Sequence, residues 1–291
     1  MHTLSSSDIT PPRMHQLLLG SIGPRPIAFA STVDDEGRPN LSPFSFFNVF
    51  GVNPTTLIFS PSRRGRNNTT KDTYENVKVV PEVVINVVTY EMVNQASLAS
   101  TEFPGGVDEF EKAGFTKLAS EKVKPFRVKE SPVQLECKVR DVIETGQGGG
   151  AANLVICEVL LMHISKEVLA GDGLIDQEKI RLVGRMGRDW YCKAFGEGIF
   201  RVEKPLSSIG IGVDALPGHV RMSKILTGND LGQLGNLPSL PSQQEIEDAA
   251  NQTHLVAMLE KSNDKYHALH SLAKELIDRG EVYEALKVLL I

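Results

Sequence analysis

Cysteine is scarce in this chain. Only three cysteines occur among 291 residues, Cys137, Cys157 and Cys192. They are odd in number and far apart, and no two form a C-x-x-C pair, so the sequence supports neither a disulfide framework nor a zinc knuckle. We therefore expect a protein of a reducing compartment, and we predict a cytoplasmic location.

The chain also lacks a positive net charge and a long apolar run. Its formal net charge is -5 at pH 7, which argues against general nucleic-acid binding. The longest apolar stretch, residues 154–164, is interrupted by Glu158, and the N-terminus has no basic region followed by an apolar core. We expect neither a membrane association nor a nucleic-acid partner.

Common catalytic motifs are missing as well. Neither G-x-S-x-G nor H-E-x-x-H occurs in the sequence. The glycine-rich run at residues 145–150, together with Ala151, formally matches the dinucleotide fingerprint G-x-G-x-x-A. That motif requires a helix to follow, whereas residues 154–159 are rich in β-formers. We reject the fingerprint and predict a hairpin loop, whose glycines would also suit a flap.

What the chain does contain is a basic loop between a strand pair and a helix. Two strand patterns, residues 40–50 and 56–61, lead into a polar basic loop at residues 62–70. Asp72 has the features of an N-cap, and Glu75 three residues later completes a capping box. The sequence therefore predicts a well-formed first turn for the helix that follows, at residues 73–79.

Positive charge is concentrated at this helix start. Lys71 and the cluster Arg63, Arg64 and Arg66 lie beside the free amide groups and the positive dipole end of the predicted helix. These groups make a compact anion site that suits a phosphate. A solvated basic loop with an ordinary helix cap is the alternative, and the charge pattern alone does not separate the two.

Aromatic side chains lie close to this loop in the sequence. The run Phe44-Ser45-Phe46-Phe47-Asn48 brings rings and small polar groups within a few residues of the candidate phosphate site. This combination suits a flat heteroaromatic ligand that carries a phosphate tail. Core packing is the alternative for Phe46 and Phe47. Because neighbouring strand residues face opposite ways, we expect at least one of them in the core.

Strand patterns recur along the first two thirds of the chain, with helical segments between them. They lie at residues 27–33, 40–50, 56–61, 82–89, 133–144 and 151–166. Repeated antiparallel strands at this spacing predict a mainly β fold, a closed or split β-barrel with inserted helices.

The composition shifts after about residue 201. Residues 205–241 are rich in Gly, Pro and Ser, and amphipathic helices follow from Ser242 onwards. We predict a barrel domain at residues 1–200 and a connector with an α-helical C-terminal extension at residues 201–291. His267 and His270 are one turn apart on a helix, and we interpret them as a surface pair because no carboxylate or cysteine completes a metal site.

Several short blocks together resemble a known family. The sequence is similar to the flavin reductase-like, FMN-binding split β-barrel proteins, a group that includes flavoredoxin-like members. The likeness covers roughly residues 10–200, and the order and spacing of the blocks are more specific than any single block. The blocks that carry it are Pro24-Arg25-Pro26-Ile27-Ala28, Ser31-Thr32-Val33, residues 37–48, Lys71-Asp72-Thr73, Asn86-Val87-Val88, Cys157-Glu158-Val159 with His163, Gly184-Arg185-Met186-Gly187, and Tyr191.

The resemblance implies a fold and an activity. The fold would be the Greek-key split barrel, and the cofactor FMN, with FAD still open. The activity would be that of a flavin reductase, an oxidoreductase that accepts hydride from NADH or NADPH and passes electrons to free flavin, a partner oxygenase or another acceptor protein. A homodimer is also implied. The alternatives are a non-catalytic FMN electron carrier and a ligand-free scaffold that binds a partner through its C-terminal helices.

The resemblance also assigns residues to the cofactor site. Ser45, Phe46, Phe47 and Asn48 would line the isoalloxazine ring and ribityl chain. The groups expected around the phosphate are Ser60, Arg63, Lys71, Asp72 and Thr73. His163 would border the ring pocket, with a barrel residue as the alternative, and Arg185 would contact the ring or a second subunit, with a structural ion pair as the alternative. A flavin brings its own reactivity, so we expect no separate catalytic residue and no metal.

Overall fold

The computed structural model describes residues 1–202, 204 and 209–291. These residues form two compact units, Met1–Phe200 and Arg201–Ile291. The first unit holds the strands and the second is helical. The division into two separate domains stays a prediction. Within the described residues, no helix is both long enough and apolar enough to cross a lipid bilayer.

The first unit contains the predicted strands and the helices inserted between them. In chain order, its strands are β1 (Ala28–Val33), β2 (Pro39–Phe44), β3 (Phe47–Val52), β4 (Thr55–Phe59), β5 (Glu82–Val87), β6 (Lys117–Leu118), β7 (Arg127–Val128), β8 (Val133–Glu144), β9 (Asn153–Ile164), β10 (Leu182–Arg185) and β11 (Tyr191–Ala194). Its helices are α1 (Pro11–Ser21), α2 (Asp72–Val79), α3 (Val93–Leu98), α4 (Glu109–Ala113) and α5 (Gln177–Ile180).

Seven of these strands form one antiparallel sheet in the order β2-β1-β5-β8-β9-β4-β3. β2 and β3 are therefore at opposite edges of the sheet, although only Ser45 and Phe46 separate them in the chain. Two residues cannot cross a flat seven-stranded sheet, because neighbouring strands are about 4.8 Å apart. The sheet must therefore curl so that the end of β2 comes next to the start of β3, and this curling gives the barrel, although these two edge strands are not paired with each other. The single predicted strand at residues 40–50 is thus two strands joined by a bend.

The sheet has a different hydrophobic cluster on each face. Ala28 and Ala30 pack with residues of β2, β4, β5, β8 and β9 in one cluster, which is the barrel interior. Phe29, between them in the chain, packs in a second cluster with Phe110 and other residues of the segment 89–132. This segment, which carries α3, α4, β6 and β7, therefore covers the opposite face of the sheet. The alternation follows from the two-residue period of a strand.

The predicted hairpin between β8 and β9 is confirmed, with residues 145–152 as its loop. This loop packs on the basic loop at residues 62–70. The Arg63 N–H donates to Ala151 O at 2.9 Å, the Gly150 N–H donates to Arg63 O at 3.0 Å, and the Asn68 side chain donates to Gln147 O at 3.0 Å. The glycine loop therefore holds the basic loop in place.

The second unit is a helical cluster. Its helices are α6 (Gly218–Arg221), α7 (Gly228–Gly235), α8 (Gln243–Ala250), α9 (Thr253–Lys261), α10 (Lys265–Asp278) and α11 (Val282–Leu289). The predicted capping box of Ser242 and Glu245 is present at the start of α8. A second capping box, Thr227 with Asp230, starts α7 inside the stretch predicted as a connector. Residues 203 and 205–208 of that stretch lie outside the described part of the chain.

The interpretation of His267 and His270 as a surface pair is wrong for His270. His270 is buried, its Nδ1 lies 2.9 Å from Ser223 Oγ, and its Nε2 lies 3.3 Å from His219 Nδ1. Burial, followed by the nearby His219, lowers the pKa of His270. The structure holds no group of three or more metal-ligating side chains among the residues it describes.

Candidate functional site

Strand β2, the start of α2 and the segment 99–109 enclose a small cavity. Its volume is about 20 Å³, which is room for a water molecule. Any larger ligand therefore needs the long side chains around the cavity to move. Polar and charged side chains make up most of its lining, namely those of Asn40, Ser42, Arg64, Lys71, Asp72, Thr73, Glu102 and Glu109.

The N-terminus of α2 opens into this cavity. The helix begins at Asp72, with Lys71 as its N-cap, and no side chain caps the first turn. Lys71 O accepts the N–H groups of Tyr74 at 2.9 Å and Glu75 at 3.2 Å. Within the described residues, the N–H groups of Asp72 and Thr73 have no such backbone partner. Free N–H groups at the positive end of a helix are suited to binding an anion.

The predicted capping box at Asp72 and Glu75 is wrong. Asp72 is the first helical residue instead of the cap, and the Glu75 carboxylate accepts the hydroxyl of Thr70. Thr70 is one residue before the N-cap, so Glu75 reaches past the helix start to the preceding loop. The first turn consequently has no side-chain cap for its N–H groups.

Two cations flank these donors. Burial, and then the neighbouring Arg64 guanidinium, lower the pKa of the Lys71 ammonium, while Glu102 and Asp72 oppose the shift. The Arg64 side chain is held by the carbonyl of Thr70, by Thr69 Oγ1 at 3.2 Å and by Glu102 Oε1 at 3.2 Å. An anion between Lys71 and Arg64 would relieve their mutual repulsion, which is the electrostatic condition for binding a phosphate.

The other two arginines of the cluster point elsewhere. The Arg63 guanidinium donates to Asn68 Oδ1 at 2.8 Å and to Asn68 O at 2.7 Å, so it braces the loop. Arg66 is mostly exposed and pairs with Glu102 Oε2 at 2.6 Å. Asn68 has a left-handed φ of 55°, which asparagine tolerates. The structure thus places Arg64, and not the predicted Arg63, against the cavity.

A buried hydrogen-bond network forms part of the cavity wall. Thr73 Oγ1 donates to Asn40 Oδ1 at 2.8 Å, and Asn40 Nδ2 donates to Glu109 Oε1 at 3.1 Å. The network continues from Asn40 to Thr32 and from Thr32 to Asn76 of α2. Asn40 belongs to one of the blocks that resemble the family but has no predicted role. Glu109 is not among the predicted residues, because no local pattern distinguishes it from a surface glutamate.

The aromatic run lies at the turn between the two edge strands. Phe47 packs on the barrel interior, so the expectation that one of the two rings is core is confirmed. Phe46 is 41% exposed, with its ring edge-on to His15 at 6.1 Å. Asn48 is exposed, and its side chain accepts the N–H of Val49. The buried Ser60 donates its N–H to Phe46 O at 2.9 Å, which joins the end of β4 to this turn.

A pair of arginines supports the turn from the other side. Arg25 is buried, and its guanidinium donates to the carbonyls of Leu19, Ile22 and Met186 and lies 3.4 Å from Ser45 Oγ. Burial and then the charge of Arg185 lower the pKa of Arg25. Arg185 exchanges backbone hydrogen bonds with Arg25 and stacks 4.7 Å from the Tyr191 ring centroid. Arg25 therefore connects Arg185 to Ser45, since it contacts both residues.

His163 lies apart from these residues. Its Nε2 is 2.8 Å from Oε1 of the fully buried Glu136, which also accepts the N–H groups of Glu121 and Lys122. Burial alone would raise the pKa of Glu136, but these donors hold it below its ordinary value. His163 lines a second cavity of about 340 Å³ beside β7. In the described part of the chain, the two cavities share no lining residue.

Comparison with known proteins identifies the class. The profile described as "Flavin reductase like domain" matches residues 20–181. The chain belongs to this family, whose members bind flavin. The resemblance read from the sequence and the split-barrel fold class are both confirmed, with a helical C-terminal region in addition.

Individual proteins are also similar to this chain. An uncharacterized protein of Aquifex aeolicus is 39% identical over 184 residues, 63% of this chain and 91% of the relative. The structure is similar to nitrilotriacetate monooxygenase component B from Bacillus cereus, with 29% identity and a TM-score of 0.65 over 69% of this chain and 98% of that one. It is also similar to 2-nitrobenzoate 2-nitroreductase from Pseudomonas fluorescens, with 25% identity and a TM-score of 0.62 over 72% and 100% of the two chains.

Proposed function

We propose that the protein is an FMN-dependent oxidoreductase of the flavin reductase type. It would accept hydride from NADH or NADPH and pass electrons to free flavin, a partner oxygenase or another acceptor. The observation that carries this proposal is the anion site at the start of α2. Two N–H groups without a backbone partner lie there with Lys71 and Arg64, and the cavity they line also includes Ser42 of the strand that leads into the exposed aromatic turn.

The donor set fits a phosphate monoester. The N–H groups of Asp72 and Thr73 supply directed hydrogen bonds, and Lys71 and Arg64 supply charge. Ser42 lines the cavity three residues before Ser45 in the chain, so a ligand whose phosphate binds at α2 can extend along β2 toward Phe46. When bound, FMN would supply the capacity to take up a hydride and release electrons. The chain would supply binding, orientation and shielding of the ring.

The assignments at the ring end support the same ligand. Backbone groups at the turn and the side chains of Ser45, Phe46 and Asn48 would face the ring and ribityl chain, with Ser60 holding the turn. Arg185 would place a positive charge at this end through its contact with Arg25. Charge near a flavin ring tunes the electronic properties of the ring. His163 and Arg63 have other partners in the structure and are not needed by this proposal.

The similar structures support an electron-transfer role. One is named as a component of a monooxygenase and the other as a nitroreductase. We infer that the electrons of this protein also go to a second protein or a small organic acceptor. A homodimer is part of the proposal, because β3 is an edge strand that exposes Val49, Phe50 and Val52. A row of exposed apolar residues on an unpaired edge is typical of a surface that another chain covers.

The test is anaerobic reduction. The purified protein is loaded with FMN and mixed with NADH or NADPH while the absorbance of oxidised flavin is followed. Loss of that absorbance at a rate typical of enzyme turnover would support a reductase. Flavin that is reduced only by a protein donor would identify an electron carrier instead. A protein with no affinity for FMN would contradict the proposal altogether.

A further inference from the structure

Glu109 is a buried carboxylate in the wall of the small cavity at the start of α2, which we call the anion cavity. Only 7% of the residue is exposed, and both of its oxygens accept hydrogen bonds from β2. Oε1 accepts Asn40 Nδ2 at 3.1 Å, and Oε2 accepts the Leu41 N–H at 3.0 Å. Burial raises the pKa of this carboxyl, while the two donors act against that shift. Because both partners are donors, the geometry suits the ionised, accept-only form.

An accept-only partner fixes the orientation of the Asn40 amide. Asn40 must present Nδ2 to Glu109, so its Oδ1 points toward α2. That oxygen accepts the hydroxyl of Thr73 at 2.8 Å. The Thr73 hydroxyl hydrogen is thereby directed into the protein. The groups of Thr73 left for a ligand are its backbone N–H and the lone pairs of the hydroxyl, so Thr73 would bind an anion through its N–H.

This tether takes the place of a helix cap. The N-cap residue Lys71 makes no side-chain hydrogen bond to the first turn of α2. An uncapped first turn frays, and frayed N–H groups cannot hold an anion in a defined geometry. Thr73 is 1% exposed and is tied to β2 by Asn40, whose orientation Glu109 sets. The first turn is therefore held from the side instead of from its end.

We propose that Glu109 is a positioning residue for the anion site. It acts through Asn40 and Thr73 to hold the N–H groups of Asp72 and Thr73 in place for the phosphate. The proposal rests on the FMN-binding function proposed above. Glu109 also carries a negative charge at the cavity, which repels an anion. Removing the carboxylate therefore has two opposing effects on anion binding: it relieves the charge repulsion, and it releases the N–H groups from their fixed positions. The positioning role requires that the second effect be the larger one.

Three variants separate position from charge. In Glu109→Gln, one amide oxygen remains as an acceptor, but an NH₂ group meets the second donor, so we expect the FMN dissociation constant to rise about tenfold. Asn40→Asp places a second carboxylate against that of Glu109, so it should weaken FMN binding by at least as much. The double variant restores the pairing, because the new amide at position 109 accepts the Leu41 N–H and donates its NH₂ to the new carboxylate at position 40. That carboxylate still accepts from Thr73, so the double variant should recover most of the affinity.

The measurement is FMN fluorescence quenching, with circular dichroism melting to check folding. Glu111→Gln is the matched control, since Glu111 is exposed on the same short helix. Unchanged or tighter FMN binding by Glu109→Gln would overturn the positioning role, because charge repulsion would then dominate. Failure of the double variant to bind more tightly than both single variants would also overturn it. Wild-type protein that does not bind FMN would instead remove the proposed function.

A second pair of variants covers the case in which Glu109→Gln does not fold. Thr73→Ser keeps the hydroxyl that Asn40 accepts, whereas Thr73→Val removes it. We expect Thr73→Ser to bind FMN about tenfold more tightly than Thr73→Val. Equal affinities would show that the tether does not position the site, and the role of Glu109 would then be rejected.

Discussion

Glu102 Oε1 lies 3.2 Å from Arg64 Nε, at the mouth of the anion cavity. The other carboxylate oxygen of Glu102 lies 2.6 Å from Arg66 Nη2. One carboxylate from the segment that covers the sheet therefore neutralises two of the cations of the basic loop. A phosphate that binds Arg64 must compete with Glu102 for it. Glu102 is thus an internal competitor of the ligand.

Removing this competitor should strengthen FMN binding. We expect Glu102→Gln to lower the FMN dissociation constant about two- to fivefold, the range typical of a partly exposed ion pair. Equilibrium titration of the apoprotein measures the change. Riboflavin, which lacks the phosphate, should show no such gain. Equal gains for FMN and riboflavin would mean that Glu102 acts on the ring end instead of on the phosphate.

Reversing the charge of Lys71 should have the opposite and larger effect. Lys71→Glu replaces a charge-assisted hydrogen bond with repulsion, so we expect FMN to bind about 100-fold more weakly. Titration by fluorescence quenching measures this loss. Lys166→Glu changes the same charge on an exposed residue away from the cavity and serves as the control. Unchanged affinity of Lys71→Glu would contradict the phosphate assignment.

Substitutions in the glycine loop test whether this loop holds the basic loop in place. A Cβ atom at Gly149 would lie 3.0 Å from Gly65 O and 3.2 Å from Arg64 O, both backbone atoms of the basic loop. We expect Gly149→Ala to displace this loop and weaken FMN binding about fivefold, equivalent to ~1 kcal/mol. At Gly148 an added Cβ would meet nothing within 4 Å, so Gly148→Ala is the matched control. Similar affinities of the two variants would show that the contact is not needed.

His270 should make the stability of the helical unit depend on pH. Its pKa is lowered in the folded state by burial and by His219, with Asp264 opposing and His267 adding to the shift. The unfolded chain therefore binds a proton more readily, and acid favours unfolding. Stability from this group is complete above about pH 6.5, the ordinary histidine value, and falls as the pH drops below it.

The measurement is thermal unfolding of the full chain between about pH 7.5 and about pH 5, a range that brackets the ordinary histidine pKa. His270→Gln should reduce the loss of stability on acidification, whereas His267→Gln, at an exposed position on the same helix, should leave most of it. A proton NMR titration would show the His270 ring titrating below the ordinary value. A titration at or above that value would contradict the prediction.

The exposed edge strand predicts the oligomeric state. Phe50 is 64% exposed on β3, and Phe50→Lys would place a charge in the proposed dimer contact. We expect light scattering to show a dimer for the wild type and a shift toward monomer for this variant. Val79→Lys changes another exposed apolar residue, on α2, and should leave the dimer intact. A wild type that is a stable monomer would reject the proposed dimer.

Much of the barrel could be predicted because strands carry their pattern locally. The two-residue alternation around Ala28 and Phe29, and the β-rich runs on both sides of the glycine loop, depend on neighbours in the chain. The bend at Ser45 and Phe46 could not be predicted in this way. It depends on Arg25 and Ser60, which reach it from other parts of the chain, so a continuous strand was the better local interpretation.

The corner proposed as the anion site can also be located from the sequence, but its individual contacts cannot. Charge density and a helix start pointed to Lys71 and the basic loop. Which arginine faces the cavity depends on Asn68, whose left-handed backbone turns the loop and binds Arg63. Glu109 could not be found at all, because its burial depends on how α4 packs on β2. His270 likewise became a buried residue only through Ser223 and His219.

The turn at Ser45 and Phe46 joins the first and last strands of the sheet in only two residues. The number of residues at this turn is therefore fixed by the fold, whereas the outer loops can vary in length. An inserted or deleted residue would change at the same time how β2 and β3 approach each other and where the groups proposed to face the flavin ring lie. We therefore expect relatives of this chain to vary in length in the outer loops and to keep this junction at its present span.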